Sequence, residues 1–135
     1  MTPRKDDRRR AMTATDVRMR ARVARTYLDV AKLAVDEDEA HRQVAAGLAA
    51  LAAIAAADAI CGHRAGERYA GQDHARAGDV LERTLPDGAD LARHFRAVIR
   101  DKSTAHYGTE YLTPEKVTVM LRHAQHLVDA VGAVV

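Results

Sequence analysis

Apolar residues recur every three to four positions through most of this chain, and the recurrence divides it into five helical stretches. Over 15–35, Val23, Tyr27, Val30, Ala31 and Ala34 share a face, with Asp16 in the first turn. The stretch 38–64 is apolar almost all round between Val44 and Ile60, which predicts a central helix contacted on several sides. Its many alanines let neighbouring helices approach closely. Gly62, Gly66 and Gly71 then loosen the chain into a connector. A short helix follows over 73–84, with Ala77, Val80 and Leu81 facing in, and Leu85-Pro86-Asp87-Gly88 stops it. Asp87 is an N-cap candidate for a fourth helix over 87–108, whose stripe is Leu91, Phe95, Val98 and Ile99 and whose stop is Gly108. Thr113-Pro114-Glu115 starts the last helix, where Val117, Met120, Leu121, Ala124, Leu127, Val128 and Val131 form a bundle seam. Residues 1–14 lack periodicity and read as a disordered basic arm, and no stretch has a strand pattern. The expected fold is all-α: one four- to five-helix up-and-down bundle over 15–135 with a long central helix.

Composition narrows the setting. With 135 residues the chain can bury one core without staples, and its prolines, Pro3, Pro86 and Pro114, fall between the periodic segments. Cys61 is the only cysteine, so no intramolecular disulfide is possible, and its apolar neighbours suit a core residue. The uncharged run from Gln43 to Ala57 is too short to span a bilayer, and no secretory signal follows the basic start. A cytoplasmic protein, not bound to a membrane, is expected. The net charge of +2 hides an asymmetry: residues 1–25 hold nine Lys/Arg and three acids, the remainder twelve and sixteen. The basic start can touch nucleic-acid phosphates or act as a solvated terminus.

The fourth stripe, continued in steps of three and four, lands on Lys102, Ala105 and His106. Ionisable groups thus replace the expected Leu or Val at the end of a core-facing pattern, within the segment Arg100 to Gly108. An arginine fork grips phosphate and a histidine moves protons near neutral pH, a pair suited to RNA cleavage. On an unbroken helix Arg100 and His106 lie about 120° apart. They converge only if the helix unwinds near Ser103-Thr104 or if a second protomer supplies the partner. Lys102 and His106 share a face without distortion. The alternative reading makes Arg100 a solvated helix-end charge and His106 a carbonyl cap. Asp58, inside the most apolar helix, needs a partner; an Arg or Lys of the fourth helix or a structural bond would serve. His74 opens the third helix beside Asp73, as a site residue or a local cap. His123, His126 and Asp129 share a face and number one ligand fewer than a structural zinc site needs. His41, His63 and His94 read as surface residues. No P-loop, nucleophile elbow or dinucleotide fingerprint is present.

Three segments together resemble the HEPN superfamily, small all-α bundles of prokaryotic toxin–antitoxin and defence systems. They are the Ala-rich helix ending in Asp58-Ala59-Ile60-Cys61-Gly62-His63-Arg64, the Gly71-Gln72-Asp73-His74 helix start, and Arg100 to His106. The last fits an R-x4-6-H signature with five intervening residues, and the resemblance spans about 17–133. It implies a metal-independent endoribonuclease without a cofactor, in which Arg100 holds phosphate, His106 does acid–base work and Asp101 supports them. It also implies a homodimer with a composite cleft, RNA as partner, and an antitoxin such as a nucleotidyltransferase. In some such toxins the tyrosine modified by that antitoxin lies two residues after the histidine; here Tyr107 follows it directly. Another branch replaces the signature by a lysine followed by Ala-acid-Tyr. Lys102 with Ala105-His106-Tyr107 resembles that form, with His in the acid's place, and implies a non-catalytic nucleotide- or protein-binding module.

Overall fold

A computed structural model describes residues 8–134. Its elements are β1 (Arg9–Ala11), α1 (Ala14–Ala34), α2 (Glu39–Ala65), β2 (Glu67–Tyr69), α3 (His74–Thr84), α4 (Gly88–Ile99), α5 (Lys102–Tyr107) and α6 (Pro114–Val134). The protein is an all-α bundle, and the five helices legible in the sequence are all present, the fourth divided in two. Residues 1–7 of the basic arm lie outside the described residues.

Helix α1 begins with a capping box: the Thr13 hydroxyl accepts from Asp16 N at 3.1 Å while Thr13 N donates to the Asp16 carboxylate at 2.8 Å. Asp38 caps α2 with its side chain alone, accepting from His41 N at 2.8 Å. Helix α2 ends at Gly66, whose φ of 74° only glycine adopts without strain. That turn sends the chain back as β2, which pairs antiparallel with β1 in the register Arg9–Tyr69, Arg10–Arg68, Ala11–Glu67. The ribbon corrects the reading of residues 9–14 as a disordered arm and the absence of a strand signal. Arg9, Arg10 and Ala11 are all exposed, so no alternation marks them as a strand.

Helix α2 is central, packed on α1, α6, α4, α3 and α5. Ala45, Ala46, Ala49, Ala50, Ala52, Ala53, Ala55, Ala56 and Ala59 along it have no solvent contact. By length and composition α2 could cross a membrane, contrary to the shorter span expected from its uncharged run, but most of it is buried inside the bundle. Its small side chains are matched by large ones from around it: Leu28 of α1, Leu81 of α3, Phe95 of α4, and Met120 and Leu127 of α6 are fully buried. On α1 the buried stripe is Val17, Ala24, Leu28 and Ala31, whereas Val30, expected inside, is 45% exposed. Two apolar stripes run along α1, and periodicity alone does not choose which one faces the core.

Candidate functional site

The expected fourth helix breaks at Arg100 and Asp101, not near Ser103-Thr104, and resumes as the six-residue α5. Asp101, Ser103 and Thr104 all favour caps and turns over helix interiors. Tertiary bonds then fix where the short helix lies. The Gln43 side chain on α2 donates to Thr104 O at 2.9 Å and to Glu110 O at 3.3 Å, and accepts from Leu112 N at 2.9 Å. Four positions on, Gly47 presents its carbonyl to His106 Nε2 at 3.1 Å. A Cβ at Gly47 would stand 3.3 Å from that nitrogen, so the missing side chain is what admits the imidazole.

Since a carbonyl only accepts, the His106 Nε2 that faces it carries a hydrogen, and in the neutral ring Nδ1 then holds the lone pair; the residue is exposed. The ring is neither sealed in the bundle nor stacked in its core; its neighbour is Tyr107, centroids 5.9 Å apart. Tyr107 is 80% exposed and Tyr111 57%, and Lys102 Nζ sits 5.8 Å from the centre of the Tyr107 ring. Lys102 also helps hold His74 below the ordinary histidine value, second to burial. Arg100 is exposed at the C-terminal end of α4, with no ion-pair partner among the described residues. No hydrogen bond joins Arg100 to His106 among the described residues. Asp101 caps α5 by position alone, its carboxylate making no cap bond. Arg100, His106, Tyr107 and Tyr111 are exposed and Lys102 is half-buried, so α5 and the residues flanking it carry cations and aromatic rings, of which Lys102, His106 and Tyr107 lie close together.

Asp58 does not belong to that group. Its partner is Arg20 of α1, Nη2 to Oδ2 at 3.3 Å, and not a cation of the fourth helix. Burial pushes its carboxyl up to about 6, against the pull of Arg20 and Arg68. His74 likewise follows the local reading in part, since Asp73 rather than the imidazole caps α3, accepting from Ala75 N at 3.0 Å. Cys61 is buried against Thr84 Oγ1 at 3.8 Å, and burial raises its thiol.

His94, expected at the surface, is 7% exposed. Its Nδ1 meets His123 Nδ1 at 2.7 Å, and its ring stacks on His126 with centroids 4.3 Å apart. Burial, then neighbouring histidines, lowers both His94 and His123. Asp129, grouped with His123 and His126 by spacing, instead accepts from Gln125 Nε2 at 2.8 Å. Among the described residues no group of three or more His, Cys, Asp or Glu is arranged to hold a metal ion.

Comparison of the chain with protein-family models, with curated proteins and with solved structures finds no significant match. The site therefore rests on its own residues. Gln43 and Gly47, which place α5 and His106, carry no sequence signal, because each reads as one more position of an Ala-rich helix. The polar end of the fourth stripe was the legible part.

Proposed function

We propose that the chain is a HEPN-like RNA-cleaving domain of a toxin or defence system, with the α5 surface as its RNA contact. The observation that carries this is the state of His106. Its Nε2–H is held by Gly47, so in the neutral ring of this exposed residue Nδ1 is an oriented base beside Tyr107 and Lys102. Exposed Tyr107 and Tyr111 offer stacking faces for unpaired bases, and Arg100 and Lys102 offer charge to the phosphates between them. In this reading Nδ1 takes the proton from a ribose 2′-hydroxyl. The freed oxygen attacks the adjacent phosphorus, the 5′-oxygen leaves as a hydroxyl with a proton from solvent water, a cyclic phosphate end results, and Nδ1 returns its proton to solvent. Arg100 compensates the charge that builds on phosphate. A second copy of the chain facing the first would bring the two residues of different protomers together, and a nucleotidyltransferase antitoxin would act at this surface.

The test is incubation of purified protein with mixed RNA in EDTA, beside Arg100→Ala and His106→Ala. The expected result is cleavage with cyclic phosphate ends by the wild type, and a loss of about a hundredfold or more in each folded variant. Intact RNA, or equal cutting by the variants, would rule out the catalytic pair. The second reading, a binding module without catalysis, is favoured by the lack of a hydrogen bond between Arg100 and His106 among the described residues. It predicts RNA bound but not cut, with binding lost in Lys102→Ala and Tyr107→Ala.

A further inference from the structure

A cleft of about 580 Å³ opens between the β-ribbon, α1 and α2, lined by Arg10, Met12, Met19, Arg20, Asp58 and Arg68 among others. Its volume suits a small ligand. Asp58 and Gly47 are about three turns apart along α2, so this is not the α5 surface.

The ribbon is the telling part. Arg10 and Arg68 stand directly opposite each other in the antiparallel register, so their side chains leave the sheet side by side, and both line the cleft. Like charges directly opposite on paired strands destabilise a sheet. The neighbouring charges are relieved: Arg9 meets Glu67 at 3.7 Å, and Arg20 is held by Asp58. Arg10 has no hydrogen-bond or ion-pair partner among the described residues, and Arg68 hydrogen-bonds only the carbonyl of Tyr69, at 3.2 Å, attracting the Asp58 carboxylate without a bond to it. Asp16, the other acid lining the cleft, is committed to the capping box at Thr13. Three guanidinium groups from three separate elements therefore converge where the ribbon alone gains nothing from them. An anion between Arg10 and Arg68 turns their repulsion into attraction.

We propose that this cleft binds a small organic phosphate, with Arg10 and Arg68 forking its terminal oxygens, Arg20 at its back, and its apolar body against Met12, Met19 and Ile54. A carboxylate has two oxygens and is satisfied by one fork. A phosphate monoester has three terminal oxygens and accepts from several forks at once. Asp58 is a positioning residue: its bond keeps Arg20 at the wall of the cleft rather than in solvent.

Titration calorimetry of the full chain with phenyl phosphate, inorganic phosphate and benzoate tests this. The expected result is saturable binding of phenyl phosphate, clearly tighter than either of the others. Arg10→Gln and Arg68→Gln should each weaken it about tenfold or more, as loss of one charged hydrogen bond does. Arg122→Gln, an exposed α6 arginine outside the cleft, should leave it unchanged. Circular dichroism checks that each variant is folded; both cleft arginines lie on a ribbon at the edge of the bundle, so helix content should not move. Equal binding of inorganic phosphate or benzoate, no saturable binding, or variants that bind as well as wild type would each overturn the assignment. Because RNA cutting is attributed to α5, neither result bears on the other.

Discussion

Gln43 and Gly47 show how single residues set the geometry of α5. Gln43 satisfies two carbonyls and one amide in a segment that has little core of its own. Gln43→Ala would leave the buried Leu112 amide without its acceptor. A destabilisation of about 2 kcal/mol is expected by urea denaturation, with faster hydrogen exchange across α5 and the 108–112 loop. Gly47→Ala separates backbone stability from imidazole placement. Alanine is a better helix former by roughly 1 kcal/mol, yet its methyl would crowd His106 Nε2. The variant should unfold no more easily than wild type, while the His106 ring resonances shift in NMR spectra. Unmoved resonances would mean that the ring does not rest on Gly47.

At the scale of elements, the alanines of α2 decide how close the other helices come. Ala53 has no exposed surface and sits in the middle of that packing. Ala53→Leu would force the neighbours apart and should cost ~2–3 kcal/mol, read as a lowered urea midpoint. This dependence was legible in the sequence, since a helix apolar almost all round from Val44 to Ile60 is one that neighbours contact on several sides. The starts of α1, α2 and α6 were legible too, because Asp16, Asp38 and Thr113-Pro114 act locally on the backbone they cap. What was not legible depends on distant partners. The break at Arg100–Asp101 needs Gln43 and Gly47. The burial of His94 needs His123 and His126 on another helix, and its polar-looking neighbours Arg93 and Arg96 disguise it. The ribbon needs Gly66 to turn the chain toward three residues that show no pattern of their own.

For the whole molecule, two titrating centres act on stability in opposite senses. Asp58 keeps its proton up to about pH 6 when folded but loses it near 3.8 when unfolded. Stability therefore falls as pH rises from 3.8 to about 6, by about 3 kcal/mol in all, and is level above that. His94 and His123 are held below 6.5 in the fold, so the unfolded chain protonates first. Their contribution is complete above pH 6.5 and is lost as pH falls below it. Urea unfolding of Asp58→Asn should gain on wild type steadily from pH 4 to 6 and then run parallel to it. His94→Gln should instead flatten the loss below pH 6.5. A Asp58→Asn curve parallel to wild type throughout would mean that the carboxyl titrates normally. The ribbon has a different consequence, for the order in which the molecule opens. Its two strands are separated in the chain by the entire α1–α2 hairpin, and β1 is exposed along its length. Closing that long span is worthwhile only once the hairpin has formed, so pairing comes late in folding and is undone early. The Met12 amide, bonded to Gly66 O at 2.8 Å, and the Ala70 amide, bonded to Arg8 O at 2.8 Å, should exchange with deuterium well before those of α2. The bundle thus has a seam that can part while its core stays intact, and the arginine cleft exists only while that seam is shut.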